Sequence, residues 1–130
     1  MKYLIIGLGN FGRTLAEELT DRGHDVIGVD MSEHRVEEVK DRISLAYIMD
    51  AKEKASLAAL PIKEVDVAVV AIGQSMEASL RAAAALKELK VRHIMARAID
   101  PVHESILHAM DVNDIIIPER FAAKAIADKV

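Results

Sequence analysis

The chain has 130 residues, enough for one domain, and 52% of them are apolar, so it can bury a core. Seventeen basic residues are interleaved with 21 acidic residues, for a net charge of −4. This pattern lacks the basic stripe that nucleic acid or an anionic membrane would require. Cysteine is absent, which excludes disulfides and thiolate metal sites and suits the reducing cytosol. No apolar run is long enough to cross a bilayer, so we expect a soluble chain.

Strand and helix signals alternate through the first half of the sequence. The apolar run "YLIIG" predicts a strand over 3–7, and helical spacing from Phe11 predicts a helix that ends at Gly23. A second strand is predicted over 26–30, then a helix capped by Ser32 with Val36 and Val39 inward. A third strand over 44–50 precedes a helix over 52–60 that Pro61 ends.

The alternation continues to the end of the sequence. "VDVAVVAIG" predicts a strand over 65–73, and the alanine-rich segment 75–90 predicts a long helix. A fifth strand over 92–98 leads to a helix that Asp100 and Pro101 open. A sixth strand over 114–118 precedes a last helix, whose apolar residues Phe121, Ile126 and Val130 lack a predicted partner within the chain.

Six strands alternating with helices predict an α/β fold, because parallel neighbours need helical crossovers. With right-handed crossovers, the expected architecture is a doubly wound Rossmann fold: a six-stranded parallel sheet in the order 3-2-1-4-5-6 with helices on both faces. We expect residues 1–130 to form one domain, since no linker or low-complexity segment interrupts them.

The segment "IGLGNFGRT" places Gly7, Gly9 and Gly12 between the first strand and the first helix. In a dinucleotide-binding loop the first glycine permits a tight turn, the second lets the backbone approach a pyrophosphate, and the third lets helix and strand pack closely. Asp30, at the end of the second strand, would accept hydrogen bonds from ribose hydroxyls and repel a 2′-phosphate. The segment therefore predicts a nucleotide site that prefers NAD or an adenine nucleotide to NADP. The alternative is a simple turn, with Asp30 capping the next helix.

Other residues at the carboxyl edge of the sheet are candidates for the same site. Asp50 would lie near the adenine or cap the following helix. Ala71, Ile72 and Gly73 would line the middle of the crevice or only form a turn. Arg97 would reach a phosphate, or pair with Asp100 or Glu104 instead.

The residues indicate binding without catalysis. Six strand–helix units use the whole chain and leave no room for a substrate domain, and no P-loop or nucleophile elbow is present. The five histidines, at 24, 34, 93, 103 and 108, have neither metal-ligand spacing nor a partnered nucleophile, and we expect His103 and His108 at the solvated surface. We predict no catalytic residue and no metal site.

The segments "AIGQSMEASLRAAAALKEL", "ARAIDPVHE" and "IIIPE", together with the glycine loop, make the chain similar over essentially its whole length to a known family. It resembles the N-terminal nucleotide-binding lobe of the Trk/Ktr potassium-uptake regulators, also called the RCK N-lobe or KTN domain. The resemblance implies a cytoplasmic regulator, peripheral to the inner face of the cell membrane, that binds a potassium channel or transporter subunit. It also implies a homodimer or larger ring, paired through the last helix.

The resemblance further implies that NAD, NADH, ATP, ADP or AMP alters the arrangement of this assembly. Arg97 matches a basic position that can meet phosphate, and Glu119 matches an acidic position near the dimer interface; its alternative role is that of an acid in a first helical turn. The nucleotide-contacting residues are then Gly7, Gly9, Asn10, Phe11, Gly12, Asp30, Met31, Asp50, Ala51, Ala71, Ile72, Gly73, Arg97 and Glu119.

Two features depart from the family pattern. Some members that respond to ATP carry arginine within the glycine loop, where this chain has Asn10, with Arg13 one turn later. This leaves NAD(H) and shorter adenine nucleotides as candidates. The family's C-terminal ligand-binding lobe has no counterpart in these residues. The alternative functions are the cofactor domain of an NAD-dependent dehydrogenase and the cytosolic lobe of a potassium efflux or cation antiporter.

Overall fold

A computed structural model describes the chain from Met1 to Val130. Six strands form one parallel sheet in the order β3-β2-β1-β4-β5-β6, which confirms the predicted doubly wound fold. The strands are β1 (Lys2–Ile6), β2 (Asp25–Asp30), β3 (Leu45–Ile48), β4 (Val67–Val70), β5 (His93–Arg97) and β6 (Asp114–Ile116). The helices are α1 (Asn10–Asp21), α2 (Glu33–Val39), α3 (Lys54–Ala58), α4 (Met76–Glu88), α5 (Pro101–Ala109) and α6 (Pro118–Lys129), with a short 3₁₀ turn at Ile62–Glu64.

Two apolar layers cover the two faces of the sheet. Successive residues of the central strand β1 point to opposite faces, so Leu4 and Ile6 belong to one layer and Ile5 to the other. The first layer contains residues of α3, α4 and α5, and the second contains residues of α1 and α2. β1 and β4 are thus covered on both sides, which explains why their sequences are continuously apolar.

Side chains and a glycine fix the ends of four helices: Ser32, Asp100 and Gly23 do so as the sequence predicts, and Ser75 adds a cap that was not predicted. Ser32 caps α2 by accepting a hydrogen bond from the Arg35 amide, and Ser75 caps α4 by accepting one from the Ala78 amide. Asp100 caps α5 with a 2.8 Å bond from the His103 amide. Gly23 follows α1 with φ +89°, the left-handed conformation typical of a glycine just past a helix end.

Several predicted boundaries were wrong where a turn replaces the end of a regular element. β4 ends at Val70, because residues 71–73 leave the sheet and line the crevice beyond it. α3 begins at Lys54, two residues later than predicted, and its N-cap is Glu53. Asp50 therefore does not cap this helix; its Oδ1 accepts a hydrogen bond from the Lys52 amide at 3.0 Å and holds the preceding turn.

The expectation of a solvated His103 was also wrong. Its ring is fully buried between α4 and the loop before α5, where Ser79 and the Ile99 amide satisfy both ring nitrogens. An imidazole can be buried at low cost when each nitrogen has a partner. His108, five residues later, is exposed as predicted.

The last helix, α6, buries none of its residues against the sheet. Phe121 and Ile126 are 69% and 65% exposed, so the predicted lack of a partner within the chain is confirmed. None of the helices combines the length and the apolar character that crossing a bilayer requires.

Candidate functional site

A crevice opens at the carboxyl edge of the sheet, where the chain leaves β1 and β4 in opposite directions. β1 continues through residues 7–9 into α1, and β4 continues through residues 71–75 into α4. These two helices cover opposite faces of the sheet, so the turns separate and leave a gap between them. In open α/β sheets such a switch point is the usual place for a ligand.

The three glycines of the first turn have different structural roles. Gly7 has φ +98°, and a Cβ on it would lie 3.0 Å from the Ile72 backbone nitrogen. A Cβ on Gly12 would lie 1.8 Å from the Gly7 carbonyl oxygen, so α1 can pack against the turn only with glycine here. A Cβ on Gly9 would meet only the Arg35 guanidinium, at 3.8 Å. Gly7 and Gly12 therefore build the turn, and Gly9 leaves its backbone open to the crevice.

The N-terminus of α1 faces the crevice without a capping side chain. Gly9 is the N-cap residue, and no side-chain oxygen accepts from the first turn. The unpaired backbone N–H groups of a first turn attract anions, and the helix dipole adds to this attraction. The arrangement can therefore bind a phosphate group through the main chain.

Asp30 connects the end of β2 to the glycine turn. Its Oδ2 accepts a 2.7 Å hydrogen bond from the Leu8 amide, and its Oδ1 accepts a 2.8 Å bond from the Ser32 amide. The alternative role, a cap for the next helix, is wrong because Ser32 caps α2. Each carboxylate oxygen keeps a further lone pair, and Asp30 lines the cavity on the β2 side of the crevice.

That cavity has a volume of about 360 Å³ and is bounded by β2, the segment after β3 and the start of α4. Its size lies within the range of small-molecule sites. The predicted site residues that line it are Gly7, Asp30, Met31, Asp50, Ala51 and Ile72. Val29, Met49 and Ala78 add apolar surface. The cavity thus combines apolar walls with the open acceptor sites of the Asp30 carboxylate.

A second, more polar cavity of about 730 Å³ lies over the glycine turn and reaches the start of α6. It brings together the remaining predicted residues apart from Gly12, which lies outside both cavities: Gly9, Asn10, Phe11, Ala71, Gly73, Arg97 and Glu119. Three arginines line it, at positions 13, 35 and 97. This side of the crevice has the charge and the exposed backbone that a phosphate chain requires.

Arg97 crosses from β5 toward the last helix. Its Nη2 lies 3.3 Å from Glu119 Oε2, its guanidinium carbon lies 5.8 Å from the centre of the Phe11 ring, and a Cβ on Gly73 would come within 3.2 Å of its Nη1. The alternative pairing with Asp100 or Glu104 is wrong. Asp100 caps α5, and Glu104 pairs with Arg120 at 3.1 Å. The two charged positions implied by the family resemblance are thus neighbours.

Two residues that line both cavities, Arg35 and Gln74, are not among the predicted site residues. Arg35 follows Asp30 by five residues in α2, and Gln74 follows the turn residue Gly73. Gln74 sits immediately beyond the predicted crevice residue Gly73, and this adjacency could have found it, whereas no comparable signal marks Arg35. Neither belongs to a known glycine-loop motif, and their proximity to each other depends on the tertiary fold.

Comparison with known proteins places these residues in a family. The family model for the TrkA-N domain matches residues 3–118. The chain is 34% identical over 129 residues to the Ktr system potassium uptake protein C of Bacillus subtilis, covering 99% of this chain and 58% of that protein. It is 32% identical over 129 residues to the Ktr system potassium uptake protein A of Vibrio alginolyticus, again covering 99% of this chain and 59% of that protein. The chain thus spans a little over half the length of these curated relatives.

Solved structures share the fold at lower identity. The NAD(P)-binding domain of an exopolyphosphatase-related protein from Archaeoglobus fulgidus superposes with a TM-score of 0.86 at 24% identity, covering 98% of this chain and 95% of that one. The AMP-bound Kef C-terminal domain of Shewanella denitrificans gives 0.79 at 24% identity, covering 95% and 75%. The GsuK channel bound to NAD gives 0.77 at 19% identity, covering 88% and 21%. At these identities the likeness supports the fold alone.

Proposed function

The chain belongs to the TrkA-N domain family, and from this premise we propose that it is the nucleotide-sensing domain of a potassium uptake system. The observation that carries the proposal is the crevice itself. An uncapped helix N-terminus and the bare backbone of Gly9 face one cavity, and Asp30 faces the adjoining one. The relatives named as Ktr potassium uptake proteins support the choice of system.

The proposed ligand is NAD or NADH, with ATP, ADP and AMP as alternatives. Two structural neighbours are described as bound to NAD and to AMP, and the cavity beside Asp30 has room for a nucleoside. The Asp30 carboxylate would accept hydrogen bonds from ribose hydroxyls and repel a 2′-phosphate, which disfavours NADP(H).

The proposed assembly is a homodimer or larger ring bound to a membrane potassium channel or transporter subunit, at the cytoplasmic face of the membrane. The exposed apolar residues of α6 support pairing between copies. A nucleotide in the crevice would shift the balance between two arrangements of paired domains, and the assembly would pass this change to the pore. The ligand can bias this balance only by binding one arrangement more tightly than the other.

We propose a regulator rather than an enzyme. The runner-up from the sequence, the cofactor domain of a dehydrogenase, loses support because the two relatives reported above are potassium uptake proteins. The cytosolic lobe of an efflux system or antiporter shares the fold, and no feature of this crevice favours it over uptake.

Calorimetric titration with NAD, NADH, ATP, ADP, AMP and NADPH tests the proposal. We expect saturable binding of at least one adenine nucleotide without a 2′-phosphate. The variant that tests the glycine turn is Gly9→Ala, whose new methyl group would make only an ordinary van der Waals contact, 3.8 Å from the Arg35 guanidinium, but would occupy the approach of the phosphates. It should fold normally and bind about tenfold more weakly or worse. Absence of binding by every nucleotide would overturn the proposal, and binding of NADPH alone would overturn the role of Asp30.

A further inference from the structure

Arg35 spans the crevice between its two walls. It belongs to the first turn of α2, beside Asp30, and its guanidinium reaches the turn after β4. When the Gln74 amide is oriented with its oxygen toward Arg35, that oxygen accepts from Nη2 at 2.6 Å and from Nη1 at 2.8 Å. On the opposite side, Nη1 lies 3.7 Å from Asp30 Oδ2. One side chain thus joins the end of β2 to the start of α4.

This bridge lies where the two cavities described above adjoin. Both cavities are lined by Gly7, Arg35, Ile72 and Gln74, so the contact of Arg35 with Gln74 is part of the boundary between them. A nucleoside in the apolar cavity with its phosphates over the glycine turn would have to cross this boundary. Binding therefore requires the bridge to open or the guanidinium to remain as a contact of the ligand.

The position of the guanidinium favours a contact with phosphate. A Cβ on Gly9 would lie 3.8 Å from both the guanidinium carbon and Nη1 of Arg35, so the charge lies directly against the bare backbone next to the N-terminus of α1. An anion held by those backbone amides would be within reach of Arg35 after a small side-chain rotation.

The partners of the three arginines in the polar cavity distinguish Arg35 from the others. Arg13 pairs with Glu38 at 2.6 Å, and Arg97 pairs with Glu119 at 3.3 Å. The short contacts of Arg35 are to a neutral amide, and its nearest carboxylate, Asp30, already accepts two backbone hydrogen bonds. A guanidinium bonds more strongly to an anionic phosphate than to a neutral amide oxygen. Of the three arginines, Arg35 would therefore gain the most binding energy from an incoming phosphate.

We propose, on the basis of the proposed nucleotide site, that Arg35 is the phosphate-binding cation of this crevice. In the absence of nucleotide, the Gln74 amide oxygen keeps the Arg35 guanidinium in position by accepting its hydrogen bonds. On binding, Arg35 leaves the Gln74 amide and bonds to phosphate oxygens over the glycine turn. The exchange joins the two cavities into one and releases the contact between α2 and the start of α4. Arg35 then supplies the positive charge that the glycine loop lacks at Asn10.

Titration of adenosine, AMP and ADP into the unaltered chain and into Arg35→Gln tests the proposal. Glutamine keeps a hydrogen-bonding side chain against Gln74 but removes the charge. We expect about a tenfold or greater loss of ADP affinity, while adenosine affinity stays within about twofold. Arg22→Gln is the charge-matched control: Arg22 is 70% exposed at the far end of α1, and its loss should leave both affinities unchanged. Arg35→Lys should recover part of the ADP affinity.

Gln74→Ala tests the exchange itself. Removing the amide frees Arg35 from a competing partner, so ADP affinity should equal or exceed that of the unaltered chain. Equal loss of adenosine and ADP affinity in Arg35→Gln would mean that Arg35 only shapes the crevice, and unchanged ADP affinity would mean that it takes no part; either result overturns the role of Arg35 and leaves the nucleotide site standing. If the unaltered chain binds NADH in place of ADP, the same loss is expected of its NADH affinity in Arg35→Gln, and an unchanged NADH affinity overturns the role of Arg35. The nucleotide site itself fails only if the unaltered chain binds neither these three ligands nor NAD or NADH.

Discussion

His103 Nε2 lies 3.0 Å from Ser79 Oγ, and this hydrogen bond joins α5 to α4 between two fully buried side chains. The Ile99 amide donates to the other ring nitrogen, Nδ1, at 2.9 Å. Nδ1 is therefore an acceptor without a proton, and Nε2 carries the proton of the neutral ring and donates to Ser79. The tautomer of this histidine follows from its neighbours.

We predict that His103 makes the fold less stable in mild acid. Burial lowers its pKa below the ordinary 6.5, outweighing the opposite effect of the nearby Asp100 carboxylate. The unfolded chain therefore binds a proton at this ring at a higher pH than the folded chain does. The stabilisation from the neutral ring is complete above about pH 6.5 and is lost as the pH falls toward the folded-state pKa, by about 1.4 kcal/mol for each unit between the two pKa values.

Urea unfolding between pH 5 and pH 8 measures this effect. His103→Gln should be less stable than the unaltered chain at pH 8, and the difference between the two should shrink at pH 5. His108→Gln, an exposed position on the same helix, should leave the pH dependence as it is. A constant difference between His103→Gln and the unaltered chain across this range would refute the prediction.

Gly12→Ala should destabilise the fold far more than Gly9→Ala. The new methyl group at position 12 would lie 1.8 Å from the Gly7 carbonyl oxygen, so α1 would have to move away from β1. Overpacking of this kind costs roughly 3 kcal/mol or more when backbone must shift. At Gly9 the same change meets no backbone, and it should cost less than about 1 kcal/mol as an N-cap substitution. Denaturant unfolding of the two variants gives the comparison; equal losses would contradict it.

Much of the crevice could be predicted from the sequence because its residues sit at fixed points of a repeating strand–helix pattern. Gly7 and Asp30 lie where a strand ends, Gly12 lies in the first turn of the helix that follows β1, and the parallel sheet brings those strand ends to one edge. The structure gives Gly7 and Gly12 their predicted packing roles, and it shows Asp30 tied to the glycine turn through the Leu8 amide. Local sequence determines these positions, so they can be found from a single amino-acid sequence.

The errors came from contacts that only the tertiary fold creates. The burial of His103 depends on Ser79, 24 residues earlier, and a helical wheel of α5 contains no sign of this partner. The bridge from Arg35 to Gln74 spans 39 positions and joins elements on opposite faces of the sheet. In short turns such as the one at Asp50, a single hydrogen bond from a side chain to the backbone moves the start of the next helix. The helix propensities of the residues do not predict such a shift.

Asp30→Asn should reduce both stability and the preference for NADH over NADPH. Each oxygen of the Asp30 carboxylate accepts one backbone amide, and an asparagine can keep only one of these two bonds. The unpaired buried N–H should cost about 1–3 kcal/mol of unfolding free energy. Asp50→Asn is the matched control across the same cavity, because one oxygen suffices for its backbone bond to Lys52. Equal stability losses, or an unchanged NADH preference, would contradict the prediction.

The apolar face of α6 should hold two copies of the chain together. Phe121, Ala122, Ala125 and Ile126 share one face of this helix by their spacing, and all four are exposed. We expect the unaltered chain to elute at about twice its mass of 14.2 kDa in size-exclusion chromatography with light scattering. Phe121→Glu and Ile126→Glu should shift it to the monomer, because a carboxylate would be buried between the helices.

Ala123→Glu provides the control for this prediction, since it adds the same charge to α6 outside the apolar face. It should leave the dimer intact. Because α6 buries no residue against the sheet, none of the three substitutions should change the free energy of unfolding of the monomeric domain by more than about 0.5 kcal/mol. A monomeric unaltered chain, or glutamate variants that remain dimeric, would show that this face does not pair copies. A dimer lost in all three variants would instead indicate that charge on the helix, rather than its apolar face, governs pairing.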